Sequence, residues 1–227
     1  GIAAISSPVV QIAERDNWMG WDTKQFVGAI EAEPTARVAQ WLARRIETQR
    51  DEIYVDDLLR DGVLQPGDLK KPSPDVVARL KADAERHRAK HHRAGVVREV
   101  RNIETDAWVA RAETHLFRSK RSKLLAETLE IQALVGGYLG TTATLDGLKR
   151  ALADPKARTQ IGRLARRARG EQVGTVIADL TVCGAVAPYN ALAAGKLVGA
   201  MAVSPTVLAA YRTKYARPSE IASAMAG

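Results

Sequence analysis

The stretch KARTQIGRLARRARG, residues 156–170, has the clearest amphipathic pattern in the chain and sets the expected fold as mainly helical. Four apolar residues recur three and four positions apart and form one helix face: Ile161, Leu164, Ala165 and Ala168. The opposite arc carries three arginines, Arg163, Arg166 and Arg167. Gly170 is expected to end the helix. Because the apolar face has no large aromatic residue, the pattern favours a surface helix that faces phosphates over one that lies on a membrane.

Similar periodicity predicts helices through most of the preceding chain. Residues 8–50 are predicted to be helical, with a break at residues 17–22 and another at Pro34, because proline lacks an N–H and clashes with the preceding turn. The helix from Thr35 to about Arg50 is therefore separate. Residues 105–135 predict one or two helices, with a break between Ser119 and Ser122 and an end at Gly136-Gly137.

The segment 61–74 is predicted to connect two parts of the chain, because it combines Pro-Gly and Ser-Pro turn signals with little periodicity. It separates a helical amino-terminal region, residues 1–65, from a basic region of helices and α+β structure, residues 75–227. Ser73 is placed to cap a helix that begins at Pro74 and extends to about Arg93.

The character of the sequence changes at residues 173–183, which are largely β-branched and bounded by glycines, and this predicts a buried strand. Asp179 falls inside it, either paired or at a solvent-facing strand end. Partner strands are expected from residues 52–55, residues 96–100 or sequence beyond Gly227. The expected fold class is α+β and mainly α-helical, with a helical amino-terminal two-thirds and a small strand-containing carboxy-terminal region.

Positive charge is concentrated in two blocks of a chain whose net charge is +8 and whose pI is near 9.8. Residues 76–123 contain 13 basic and 6 acidic side chains, and residues 146–172 contain 8 and 3. Such blocks attract polyanions, because each cation docked on a phosphate releases condensed counterions. A solvated helix face or an acidic partner protein would account for the same pattern. The nucleic-acid-binding candidates are the densest cations, expected where helix faces turn outward: Arg118, Lys120, Arg121, Lys123, Arg163, Arg166 and Arg167.

The histidines and the single cysteine give little indication of a metal or cofactor. His87 and His91 are four residues apart on a predicted helix, the spacing of two metal ligands, but no carboxylate of matching phase accompanies them. We interpret them as residues at the rim of a packed face, and His115 as isolated. Cys183 alone excludes an intramolecular disulfide and suits a reducing cytosol. No apolar run approaches the roughly 20 residues that span a bilayer. No metal and no cofactor are expected.

A series of short motifs occupies the carboxy-terminal part of the chain: Cys183-Gly184-Ala185, Pro188-Tyr189-Asn190, Gly195-Lys196-Leu197, Ser204, Tyr211, Tyr215 and residues 219–227. Together they resemble the Druantia anti-phage DruA-like family, over about half the chain from near residue 105. The chain departs from that family in having one glycine fewer before Lys196. The resemblance implies a role in bacterial defence against phage, with nucleic acid or phage-derived components as targets. Family members extend past the end of this chain, so we expect it to be truncated.

These observations leave three hypotheses. The leading one is a bacterial cytoplasmic defence component whose basic helices contact nucleic acid, with DNA favoured over RNA. Its other expected partners are further subunits of the defence system, and no contact with a membrane is expected. The second is an enzyme with a pocket for a nucleotide or small molecule, whose catalytic candidates are Asp179, Tyr189, Asn190 and Lys196. The third is a scaffold subunit that docks acidic partner proteins. No motif identifies a reaction, because Gly195-Lys196 lacks the surrounding loop of a P-loop and no nucleophile elbow is present.

Overall fold

A computed structural model describes residues 2–6, 12–93, 107–188 and 194–214. These residues form two compact units. The terminal unit contains the described residues of 1–25 and 165–219, and the helical unit contains those of 26–164. The units therefore divide the chain at different places from the predicted connection at 61–74, which lies inside the helical unit.

Helices dominate the described residues, and one small antiparallel sheet accompanies them, which confirms the expected fold class. The strands are β1 (Ile2–Ser6) and β2 (Asp179–Gly184). The helices are α1 (Ala13–Trp18), α2 (Thr23–Ala32), α3 (Ala36–Asp51), α4 (Asp56–Arg60), α5 (Pro74–His92), α6 (Trp108–Ala112), α7 (His115–Ile131), α8 (Gly137–Leu139), α9 (Leu145–Ala153), α10 (Pro155–Val176), α11 (Ala194–Ala202) and α12 (Pro205–Lys214).

Two helix starts follow the local signals in the sequence. The Thr35 hydroxyl accepts a hydrogen bond from the Val38 N–H at 3.3 Å, and the Ser73 hydroxyl accepts one from the Val76 N–H at 3.3 Å. Each cap satisfies a backbone donor that the first turn of a helix leaves unpaired. The predicted separation of α3 from α2 and the predicted start of α5 are both confirmed.

Helix α7 is continuous, so the predicted break between Ser119 and Ser122 is wrong. The apolar pattern is interrupted there because Arg118 and Arg121 occupy buried positions on the same face as Leu125. The predicted end at Gly136-Gly137 is also wrong, because a π-helical turn at Gln132–Gly136 leads directly into α8. The chain leaves the helix at Gly140, whose φ of +66° suits glycine.

Two apolar clusters form the core of the helical unit. One joins α2, α3, α8, α9 and α10 through buried residues that include Leu42, Ile46, Leu139, Leu148, Ile161 and Leu164. The other joins α4, α5 and α7 and includes Leu58, Val63, Leu64, Val76, Leu80 and Leu125. Because Val63 and Leu64 pack in the same cluster as α5, residues 61–74 are a packed connection inside one unit.

The sheet of the terminal unit differs from the predicted buried strand. Helix α10 continues through Gly170 to Val176, so the strand starts only at Asp179. A glycine costs a helix only about 1 kcal/mol relative to alanine and does not forbid it. The partner of β2 is β1, in antiparallel register from Ile2 opposite Gly184 to Ser6 opposite Asp179, rather than residues 52–55. Residues 96–100 lie outside the described residues. Leu180 and Val182 are 44% and 51% exposed, so β2 is not buried.

Polar contacts join the helices of the terminal unit. The Arg169 guanidinium lies 3.1 Å from a carboxylate oxygen of the buried Asp16 in α1 and donates to the Trp21 carbonyl at 2.9 Å. The Tyr211 hydroxyl in α12 donates to the Ile177 carbonyl at 2.8 Å. Arg169, which the sequence placed in a cationic block, is therefore engaged inside the unit.

Replacing Gly147 with alanine should destabilise the helical unit by about 2 kcal/mol or more. A β-carbon there would clash with the Tyr138 carbonyl oxygen and lie 3.0 Å from the Leu139 Cα, where α9 meets α8. Urea unfolding measures the effect. The matched control is Gly28→Ala in α2, where a β-carbon meets nothing within 4 Å. That substitution should stabilise by about 0.5–1 kcal/mol, and destabilisation of similar size in both variants would contradict the packing.

Candidate functional site

The most highly charged buried region of the helical unit lies between α4, α5 and α7, and Arg121 is at its centre. Its side chain is fully buried, and its guanidinium donates to both carboxylate oxygens of Asp57 at 2.9 and 2.7 Å. It also donates to the carbonyl of Tyr54 and twice to the carbonyl of Ala112, at 3.2 and 2.9 Å. These five bonds use all five N–H donors that an arginine has.

Arg118, one turn earlier in α7, completes the network. It donates to the two oxygens of Asp83 in α5 at 3.2 and 3.1 Å and to Asp61 at the end of α4. Its Nη1 also lies 3.7 Å from the Asp57 carboxylate. The Ser122 hydroxyl donates to Asp83 at 2.7 Å. We call Asp57, Asp61, Asp83, Arg118, Arg121 and Ser122 the buried ion-pair network.

The network controls the ionisation of Asp83. Burial alone would raise the pKa of this carboxyl, but hydrogen bonds from Arg118, Ser122 and Arg86 outweigh burial and lower it to about 2. The pKa of Arg118 is raised, because the attraction of Asp83 and Asp61 outweighs its own desolvation. Both groups are therefore charged at neutral pH, as buried ions must be when partners surround them.

Polar contacts extend from the network to the surface at Glu113. This carboxylate accepts hydrogen bonds from the Tyr54 hydroxyl at 3.0 Å and from the Arg60 guanidinium at 3.3 Å. The Arg60 hydrogen bond is the main reason that the pKa of Glu113 is lowered. Burial and the Glu113 hydrogen bond raise the pKa of Tyr54, whose ring packs edge-on against Trp108 at 5.5 Å between centroids.

Two histidines meet beside the network, so the interpretation of His115 as isolated is wrong. The Nδ1 atoms of His87 and His115 are 3.1 Å apart, and the rings pack edge to face with centroids 4.9 Å apart. A separation of 3.1 Å between two ring nitrogens requires one of them to be protonated and the other to accept. Burial lowers the pKa of His87 to about 4, the attraction of Asp83 opposes this, and Arg118, His115 and Lys90 add to the lowering.

The arrangement of the network is suited to joining helices rather than to chemistry. None of the buried side-chain nitrogens and oxygens of Asp57, Asp83, Arg118 and Arg121 lacks a hydrogen-bond partner. All five donors of Arg121 are used within the network, so this side chain has none left to meet a substrate, which a catalytic group needs. Among the described residues, no cluster of three or more His, Cys, Asp or Glu side chains could hold a metal ion.

The structure divides the predicted nucleic-acid-binding residues into two groups. Arg118 and Arg121 are buried in ion pairs, so the expectation that they face outward is wrong. Their helical phase with Phe117 and Leu125 is the sequence signal that could have identified them as buried. Lys120, Lys123, Arg163 and Arg166 are exposed, and Arg167 is half-buried. Of the exposed four, Lys120 lies 5.6 Å above the Phe117 ring, and none forms an ion pair within the described residues.

The residues of the predicted enzyme pocket are not assembled into a site by the described part of the chain. Asp179 is the first residue of β2, half-buried and opposite Ser6, which matches the strand-end alternative. Lys196 is exposed on α11. Within the described residues, Lys196 and Asp179 form no hydrogen bond or ion pair with each other. Tyr189 and Asn190 lie outside the described residues. Two glycines of α11 lie beside β2: the Cys183 sulfur is 3.9 Å from the Gly195 carbonyl oxygen and 3.6 Å from a β-carbon placed at Gly199.

A groove of about 1120 Å³ opens on the helical unit between the beginnings of α5 and α10. We call it the α5–α10 groove. It is lined by Ser73, Pro74, Val77, Ala78, Lys81, Glu130, Ala133, Leu134, Pro155, Lys156, Thr159, Gln160 and Arg163. The sequence predicted the cationic arc of α10 but gave no signal that α5 lies opposite it.

Comparison with known protein families, curated proteins and solved structures finds no match to this chain. In the described residues, no helix has both the length and the apolar character needed to cross a membrane.

Replacing Arg121 with alanine should reduce the free energy of unfolding by about 3–5 kcal/mol, because it leaves the Asp57 carboxylate buried without its main partner. The double variant Asp57→Leu/Arg121→Met should recover much of that loss, since an apolar pair of similar size leaves no unpaired charge. Urea unfolding checks both. Lys120→Ala, one position away on the exposed face, is the control and should change stability by about 0.5 kcal/mol or less. Equal losses at the two positions would contradict the buried network.

Stability should fall as the pH decreases from about 6.5 to about 4, by roughly 1–3 kcal/mol. The ordinary pKa of His87 is 6.5 and its folded value is about 4, so in this range the unfolded chain binds a proton that the folded chain does not. Asp83 adds a separate loss at lower pH, between its ordinary value of 3.8 and about 2. Urea unfolding across this range should show a shallower pH dependence in His87→Gln. The control His92→Gln, at an exposed position of α5, should keep the pH dependence of the wild type. An unchanged pH dependence in His87→Gln would contradict the conclusion that burial of His87 causes the loss of stability.

Proposed function

We propose that this protein is a cytoplasmic component of a bacterial anti-phage defence system and contacts nucleic acid through exposed cations on its helices. The observation that carries the nucleic-acid part concerns the seven predicted contact residues: four of them, Lys120, Lys123, Arg163 and Arg166, are exposed and form no ion pair within the described residues. The defence part rests on the carboxy-terminal motifs that resemble the DruA-like family.

The pairing pattern of α7 supports a polyanion as the partner of these cations. The basic run in this helix contains Arg118, Lys120, Arg121 and Lys123, of which two are neutralised by buried carboxylates and two are not. Two cations on one outward face contribute a local positive field, which attracts phosphates without reading a base sequence.

Binding of the whole chain to random-sequence DNA should weaken on the order of a hundredfold between about 50 and about 200 mM salt, because about four counterions are released. Fluorescence anisotropy with labelled duplex measures this. The variant in which Lys120, Lys123, Arg163 and Arg166 are alanine should lose most of the salt dependence, about 0.9 units of log–log slope per phosphate contact. Its circular dichroism spectrum should match that of the wild type.

The matched control is Lys196→Ala, which removes one exposed cation outside the two basic blocks and should leave DNA affinity within about twofold. Absent or salt-independent binding by the unmodified chain would overturn the nucleic-acid part. The defence part is tested by the plating efficiency of phage on bacteria that carry the complete defence system. We expect protection to fall when the four cations are replaced in that system, and unchanged protection would overturn the link between DNA contact and defence.

A further inference from the structure

The wall of the α5–α10 groove that belongs to α10 carries unpaired positive charge. Lys156, Thr159, Gln160 and Arg163 follow each other at helical spacing and line this wall. Lys156 and Arg163 form no ion pair within the described residues, whereas Lys81 on the opposite wall is neutralised by Glu130. Seven residues of helix separate the two free cations by about 10 Å along the axis, so they can contact different phosphates.

The rest of the lining is mostly apolar, and its one charged pair, Lys81 with Glu130, leaves no charge there without a partner. Pro74, Val77 and Ala78 of α5 form the other wall, and Ala133 and Leu134 of the π-helical turn contribute to the floor. These apolar side chains cannot contact the base faces of a DNA duplex, because those faces are stacked inside the duplex. A single strand exposes the faces of its bases, and these can lie against apolar side chains while the phosphates face cations.

We infer that the α5–α10 groove binds a single strand of DNA, an inference that rests on the proposed function. Its phosphates contact Lys156 and Arg163, and its bases pack against Val77, Ala78 and Leu134. The groove has a volume of about 1120 Å³ and is open to solvent along one side, so a linear chain can lie in it. Because no aromatic side chain lines the groove, base stacking contributes little, and affinity should come mainly from the phosphate contacts, which do not distinguish among bases.

Ala78→Glu tests the site with a closely matched control, Ala82→Glu. Both alanines are exposed on α5, but only Ala78 lines the groove. The groove variant should bind a random-sequence single strand of about 30 nucleotides at least about tenfold more weakly, because the new carboxylate repels phosphates and displaces bases. Ala82→Glu should stay within about twofold of the wild type. The wild type should prefer the single strand over a duplex of the same sequence.

A second pair of variants tests the cationic wall. Lys156→Ala/Arg163→Ala should reduce the log–log salt slope for the single strand by about 1.4, since each phosphate contact contributes about 0.7. The control Lys149→Ala/Arg150→Ala removes two exposed cations of α9 that do not line the groove, and its slope should change by less than half as much.

Equal single-strand binding by Ala78→Glu and Ala82→Glu overturns the groove site and leaves the proposed function in place if wild-type binding is salt-dependent. Binding of a duplex as tightly as of a single strand also overturns the groove site without affecting the proposed function. So does an Ala78→Glu variant that no longer binds a polyglutamate peptide but still binds DNA, because the groove would then take an acidic peptide. Absence of any salt-dependent DNA binding by the wild type overturns both the groove site and the proposed function.

Discussion

The ion pairs of Arg118 and Arg121 with Asp57 and Asp83 join α4, α5 and α7, and the arrangement of the helical unit depends on them. A buried charge is costly unless partners surround it, so these side chains disfavour any packing of the three helices that separates them. The fully bonded Arg121 sets that register, because its five donors reach two backbone carbonyls as well as one carboxylate. Apolar packing around Leu80 and Leu125 supplies the area of contact, and the ion pairs specify its geometry.

The same register determines which cations are available to a partner. Helix α7 has one buried face, and its helical phase turns Arg118 and Arg121 inward and Lys120 and Lys123 outward. The dense basic run therefore has two roles, and only half of its charge reaches the surface. The apolar face of α10, which includes Ile161 and Leu164, is buried in the core. Its polar arc is therefore exposed and forms one wall of the groove opposite α5.

Much of the helical architecture could be predicted from local signals. Pro34, Thr35, Ser73 and Pro74 act within one turn of their own position, and the helices they delimit form where the sequence indicates. The predictions that failed concern partners distant in sequence. A break was predicted inside α7 because buried arginines were counted as exposed, and the strand partner was misassigned because β1 lies more than 170 residues before β2.

The sequence by itself determined the mainly helical class, the caps of the long helices and the presence of two basic blocks, because these depend on composition and on contacts between near neighbours. Only the tertiary structure decided which arginines are neutralised, that His115 meets His87, and that α5 lies across a groove from the cationic arc of α10. The reason is physical: a charge in a helix has the same local pattern whether its partner is water, phosphate or a carboxylate 35 or 64 residues away. Packing alone brings that partner within bonding distance.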